Sequence, residues 1–183
     1  RGPDAAELHV LPTLWFRNTW SWDRSPKPSI HALDSATRVA HQDAMGTRWL
    51  YCAAASSTVA PNLLFTENET NYERVFNAAS PSPYTKDAFH AMLVDGEHHR
   101  VNPARTGTKA AAHYRLRVEG GASVVLKLRI TDREPLRLPQ PFDHFDAIFA
   151  TRVAEADAFY ATTQSAHLND DERRVQRQAF AGL

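Results

Sequence analysis

The apolar pattern of this chain changes period once, from two residues to 3.6, across Pro139-Gln140-Pro141. That switch divides it into a sheet-forming part and a helical tail. Upstream, residues 111–118 alternate, with Tyr114, Leu116 and Val118 on one face and His113, Arg115 and Arg117 on the other. Gly120-Gly121 reads as a turn. Val124, Leu126, Leu128 and Ile130 then resume the alternation with Lys127 and Arg129 opposite, which predicts a β-hairpin with one wet face. Residues 37–41 and 48–52 are expected to pair across a Met45-Gly46 turn, and the apolar run Val10 to Phe16 places Pro12 at an edge or a bulge. Short strands punctuated by Gly, Pro and Asn, without a βαβ rhythm, predict a mainly β, antiparallel sandwich up to about Ile130.

Downstream, Phe142, Phe145, Phe149, Val153, Ala156 and Tyr160 recur at helical spacing, predicting an amphipathic helix over about 142–163 with Asp143 as its cap. Such an aromatic stripe is expected to face a core rather than a ligand. Asn169 and Glu172 have the spacing of a capping box, and a second helix should follow them to Leu183. That helix ends on an apolar residue without a cap, and the chain opens on Arg1-Gly2-Pro3, so a fragment of a longer polypeptide is expected. The predicted division is a β domain over 1–138, a linker helix over 139–166, and the start of a helical domain over 167–183.

The charge balance argues against a nucleic-acid partner, because Lys plus Arg and Asp plus Glu number 21 each. No apolar stretch approaches the roughly twenty residues of a membrane span, and no leader opens the sequence, so no membrane association and a cytoplasmic setting are the expectation. Cys52, the one cysteine, lies in Trp49-Leu50-Tyr51-Cys52-Ala53 and reads as a small core residue.

The segment richest in polar chemistry follows the apolar run Asn62-Leu63-Leu64-Phe65. It is Thr66-Glu67-Asn68-Glu69-Thr70-Asn71, in which carboxylates and carboxamides alternate. Residue types alone favour a strand-to-loop exit, since Asn side chains fold back on their own backbone. A sugar-facing loop is the sharper alternative, because carboxylates and amides together accept from and donate to a polyol. Asn18, Trp20 and Trp22 form a second amide and aromatic cluster, and an extended backbone would put both Trp residues on one face. Glycoside hydrolysis needs two carboxyl groups bracketing the scissile bond; Glu67 and Glu69, two positions apart, would share one side instead. Lys86-Asp87 fits an ion pair or a polyol contact. Glu97 with His98-His99 reads as a solvated loop before it reads as a metal site. His41 and His113 would support mutarotase-like chemistry only beside a paired carboxylate. Asn68-Glu69-Thr70 fits the glycosylation sequon, discounted without a secretion signal.

Four ordered segments, 8–22 (LHVLPTLWFRNTWSW), 65–71 (FTENETN), 84–90 (YTKDAFH) and 101–111 (VNPARTGTKAA), resemble bacterial glucosidase-like proteins. That group is related to glycoside hydrolase family 63, with processing α-glucosidase I and mannosylglycerate hydrolase. The resemblance covers nearly the whole chain. It implies an N-terminal super-β-sandwich of the galactose mutarotase type, a linker helix, and an (α/α)6 barrel that carries the general acid and base. This chain stops inside what would be the first barrel helix, so none of its residues matches a catalytic position. The fragment is expected to be inactive alone, to need neither cofactor nor metal, and to support a carbohydrate site completed by the missing barrel. Glu67, Asn68, Glu69, Asn71, Lys86, Asp87, Lys109 and Trp20 are the expected substrate-side residues. Apolar residues left uncovered near Phe180 and Leu183 would promote self-association. A stand-alone carbohydrate-binding module and a mutarotase-like sugar enzyme are the alternatives.

Overall fold

The computed structural model describes residues 2–23, 25–33, 45–56 and 59–182, with the backbone alone for 37–42. It forms two compact units, 1–141 and 142–183. The first contains β1 (Ala6–Val10), β2 (Thr13–Trp15), α1 (Trp20–Asp23), β3 (Ser29–Ala32), β4 (Thr37–Gln42), β5 (Gly46–Cys52) and β6 (Asn62–Thr66). It continues through α2 (Tyr72–Phe76), α3 (Ala88–Val94), β7 (Thr106–Gly107), β8 (Lys109–Val118) and β9 (Leu128–Thr131).

Two antiparallel sheets result. In one, β8 is central, with β1 and β2 along one edge and β6 along the other; the second runs β7-β3-β4-β5-β9. β1 and β2 keep one frame against β8, Val10 opposite Tyr114 and Thr13 opposite Ala111, so no residue is inserted between them. Pro12 interrupts the strand only by lacking an N–H, and its carbonyl still accepts from the Ala112 amide at 3.0 Å. Of the two positions open to it, it takes the edge rather than a bulge.

The alternation along β8 decides what each face buries. Ala110, Ala112, Tyr114 and Leu116 point into a core that also holds Leu63 and Phe65 of β6, Ile30 of β3 and Cys52 of β5, so both sheets contribute to one cluster. Tyr114 is fully buried and donates its hydroxyl to the Ala53 carbonyl at 2.6 Å, just past β5. On the opposite face Leu64 and Ala111 pack beneath Phe89 of α3. With both faces covered, β6 reads as a continuous apolar run instead of an alternating one.

The expected hairpin across Gly120-Gly121 does not form. β9 instead pairs with β5, Leu50 opposite Ile130 and Cys52 opposite Leu128. Period-two alternation fixes which face a strand buries but says nothing about which strand it joins. The two glycines hold the N-terminus: the Gly121 amide donates to the Gly2 carbonyl at 3.2 Å, and a Cβ on Gly120 would run into the Pro3 carbonyl. The β4–β5 pairing runs from Thr37 opposite Tyr51 to Gln42 opposite Gly46, as the sequence predicts.

In the second unit, α4 (Phe145–Thr163) and α5 (Asp170–Ala181) are joined by short contacts. Gln164 donates to the Arg173 carbonyl at 2.8 Å, and Arg177 pairs with Asp157 and lies 4.9 Å from the Tyr160 ring. The capping box of α5 is present, the Asn169 side chain accepting from Asp171 and Glu172 amides at 3.0 Å each while Glu172 accepts from the Asn169 amide. The expected cap of α4 is not Asp143 but His144, held at φ 59° with no side-chain bond to the helix. No α4 residue is fully buried, though Phe145, Ala156 and Tyr160 of the stripe are half-buried; the Phe145 and Phe149 rings stack with centroids 6.4 Å apart. Phe180 is exposed, and Leu183 lies outside the described residues. Among the described residues no helix is long and apolar enough to cross a membrane.

Candidate functional site

The loop leaving β6 is pinned by backbone before any side chain acts. Glu67 donates its amide to the Tyr84 carbonyl at 2.8 Å, Lys86 donates to the Glu69 carbonyl at 2.9 Å, and Thr108 donates to the Thr66 carbonyl at 3.1 Å. Segments 66–71, 84–87 and 106–109 therefore meet where the chain passes from β7 in one sheet to β8 in the other. A Cβ on Gly107 would overlap the Thr66 carbonyl group, so only glycine permits this approach.

The eight residues expected from sequence all belong to this cluster. Glu67 Oε2 accepts from the Thr108 hydroxyl at 2.8 Å and from Lys27 Nζ at 3.1 Å. Glu69 Oε1 accepts from Lys27 Nζ at 3.0 Å and from Trp20 Nε1 at 3.0 Å. The Asn68 amide donates to Thr108 Oγ1 at 2.7 Å and its Nδ2 to the Phe16 carbonyl at 2.8 Å. That second bond gives the sequon nitrogen a structural occupation. Asn71 caps α2 by accepting from the Arg74 amide, and donates to Asp87 Oδ2 at 3.1 Å. Asp87 also accepts from the Thr85 hydroxyl at 2.7 Å. Lys86 Nζ donates to Thr70 Oγ1, and Lys109 Nζ donates to the Lys86 carbonyl while lying 4.7 Å from the Phe89 ring.

Lys27 was not foreseen, yet it is the hub. It clamps both carboxylates from Ser25-Pro26-Lys27-Pro28, where the following proline biases the Lys27 backbone toward an extended conformation. The Pro-Lys-Pro spelling was the available signal. Burial by itself would lower the ammonium pKa, but the bonds and charges of Glu69 and Glu67 prevail and raise it. Two carboxylates on one lysine make a charge cluster, not a pair flanking a sugar bond. Glu69 is 8% exposed, and its Oε2 is buried with no hydrogen-bond partner among the described residues. Thr66 Oγ1, at the start of the same segment, is likewise buried without a partner among the described residues.

One expectation about aromatics needs correction. Residues 20–23 form a helical turn, so Trp20 and Trp22 do not share a face. Trp20 packs against the core and spends its N–H on Glu69, whereas Trp22 is 75% exposed. Beside the cluster, Asn71 and Asp87 also line an open polar cavity of about 420 Å³ with Arg74, Asp95, Glu97 and Arg100. His113 Nε2 lies 2.9 Å from His9 Nδ1, so its partner is an imidazole where mutarotase-like chemistry would need a carboxylate. Burial, then the charges of His9 and Arg115, lowers the His113 pKa. The side chain of His41 lies outside the described residues.

Asp87 offers a pH test of this wiring. Its burial favours the neutral acid, but bonds from Thr85 and Asn71 outweigh that and lower its pKa. A depressed carboxylate stabilises the fold fully above its unfolded value, near 3.9, and loses that contribution as pH falls through the folded value. Asp87→Asn should destabilise the chain by about 1 kcal/mol at neutral pH. In urea titrations the gap from wild type should close as pH is lowered below about 4; a gap independent of pH would refute the charge-assisted role.

No family model matches this chain, and no solved structure matches it. It is similar to the uncharacterized protein YMR196W of Saccharomyces cerevisiae, 34% identical over 210 aligned residues that take in 98% of this chain and 19% of that protein. The chain thus spans about a fifth of the length of the curated relative it matches.

Proposed function

We propose that this chain is the non-catalytic N-terminal sandwich of a glycosidase-like protein related to glycoside hydrolase family 63, its loop cluster lining a carbohydrate site completed by a helical barrel elsewhere in the polypeptide. The observation that carries this reading is spatial. The four segments that resemble the family, far apart in sequence, meet in one bonded cluster: Phe16 and Trp20 bond Asn68 and Glu69, Tyr84 and Lys86 bond the backbone of Glu67 and Glu69, and Thr108 bonds Glu67 and Asn68. The shared core of the two antiparallel sheets supports a sandwich. Small-molecule sites form preferentially at domain interfaces, and a chain spanning a fifth of its relative leaves room for the second domain. Within this scheme the part-exposed Glu67 carboxylate and Lys27 ammonium face the sugar, while the buried Glu69, with Asn68, Asn71 and Asp87, holds the loop in shape.

The isolated chain should therefore release no glucose from α-glucosides. In the full-length parent protein, Glu67→Gln should raise KM about fivefold or more, the effect of one charge-assisted hydrogen bond, and leave kcat within about twofold. Robust turnover by the isolated chain, abolished by Glu69→Gln, would overturn the non-catalytic reading. Saturable binding of maltose by the isolated chain without turnover would favour a self-sufficient binding module instead.

A further inference from the structure

His9 and His113 stand apart from the loop cluster, on the outer face of the four-stranded sheet. The frame of β1 on β8 sets His9 opposite Arg115, so His113 is its diagonal neighbour on the same face. The two rings lie nearly parallel, 22° apart with centroids at 4.9 Å, and His113 Nε2 is 2.9 Å from His9 Nδ1. Arg115 beside them is paired with Glu7 at 3.1 Å, which leaves the local charge balanced. An open cavity of about 430 Å³, lined by His9, Leu11, Phe89, His90 and Leu93, adjoins the pair.

We propose that His9 Nδ1 and His113 Nε2 form a two-imidazole chelate for a divalent transition ion of right-angle geometry, Cu2+ before Ni2+. The distance between the nitrogens is that of the hydrogen bond they now share, and it also matches a right-angle bite. With metal–nitrogen bonds of about 2.0–2.1 Å, a right-angle bite sets the donors about 2.9 Å apart, whereas a tetrahedral bite sets them about 3.3 Å apart. The observed separation is 2.9 Å. Imidazole suits copper and nickel, and the general affinity order places Cu2+ highest. The site needs no loop to order, because paired strands already fix both backbones. Binding requires the N–H now between the rings to move to the far nitrogen of its own ring, leaving His9 Nε2 and His113 Nδ1 as the protonated atoms. Two neutral rings release no proton in this exchange, and an imidazolium releases one. Among the described residues no third His, Cys, Asp or Glu completes a group, so water fills the remaining positions and the adjoining cavity admits it.

The test is a titration of the 183-residue chain with Cu2+ in a non-coordinating buffer, read by calorimetry and by electron paramagnetic resonance. The expected result is one equivalent bound, with hyperfine structure from two equatorial nitrogens. His9→Gln and His113→Gln should each weaken binding at least tenfold, and the paired substitution His98→Gln with His99→Gln should leave it unchanged. His9 lies on an edge strand, so His9→Gln carries the test even where His113→Gln disturbs folding; near-ultraviolet circular dichroism establishes which variants are native. Absence of saturable binding up to about 1 mM, or one-equivalent binding undiminished in native His9→Gln, would overturn the site.

Discussion

Phe65→Ala is expected to destabilise the first unit by about 3–5 kcal/mol, the range for an aromatic removed from a core that cannot collapse around the gap. Phe65 has no exposed surface and packs in the cluster to which both sheets contribute. Its carbonyl also accepts from the Asn102 amide at 2.8 Å, so the strand end that carries Glu67 and Glu69 depends on its position. Domains of this size hold only about 5–15 kcal/mol of net stability. In urea the loss should lower the unfolding midpoint by about 1 M or more, given slopes of about 1–3 kcal/mol per molar. Phe149→Ala is the control: with 62% of its surface exposed, it should change stability by less than about 1 kcal/mol. Comparable effects at the two positions would mean that the core is misplaced.

Gly107→Ala is expected to be nearly as damaging, about 3 kcal/mol, from a single added methyl. The mechanism is contact with backbone, not torsional strain. The new Cβ would meet the Thr66 carbonyl, an atom fixed by its bond from Thr108 and unable to rotate away. Gly96 gives the contrast: its φ is +74° and a Cβ there meets nothing within 4 Å. Gly96→Ala should thus lose only the left-handed preference, about 1 kcal/mol. Unfolding titrations of both variants check the ranking, and Gly107→Ala should also raise amide exchange at Asn68, which donates to Thr108 Oγ1, and at Thr108, which donates to the Thr66 carbonyl. Equal, small losses would refute the close approach.

What the sequence revealed follows from what periodicity encodes. The alternation of β8, the buried exit of β6 and the capping box at Asn169 are local patterns, and each could be read from neighbours along the chain. Partner choice is not local. β9 was expected back on β8 but joins β5, a switch that buries the same Leu128 either way. Trp20-Ser21-Trp22-Asp23 reads equally as strand or helix over so few residues, and tertiary bonds to Glu69 settled it as a turn of helix. At the loop leaving β6, residue types drew attention to a segment whose side chains do cluster in space. They could not tell that most of its polar atoms would bond one another, nor that a lysine forty positions upstream of Glu67 (Lys27) would hold both carboxylates.

The central position of β8 also dictates an order of assembly. Ala6 pairs with Val118 and Thr13 with Ala111, while β6 waits for Ala112 and Ala110. A nascent chain that has emerged through β6 therefore carries three strands of this sheet with nothing between them. Closing loops of that length precedes any stabilising contact, which slows folding of sheet-rich topologies. Until residue 118 clears the ribosome, the unpaired edges of β1 and β6 remain open to wrong partners. Pro12, which withholds one amide from β1 and β2, removes a donor from that edge during the wait.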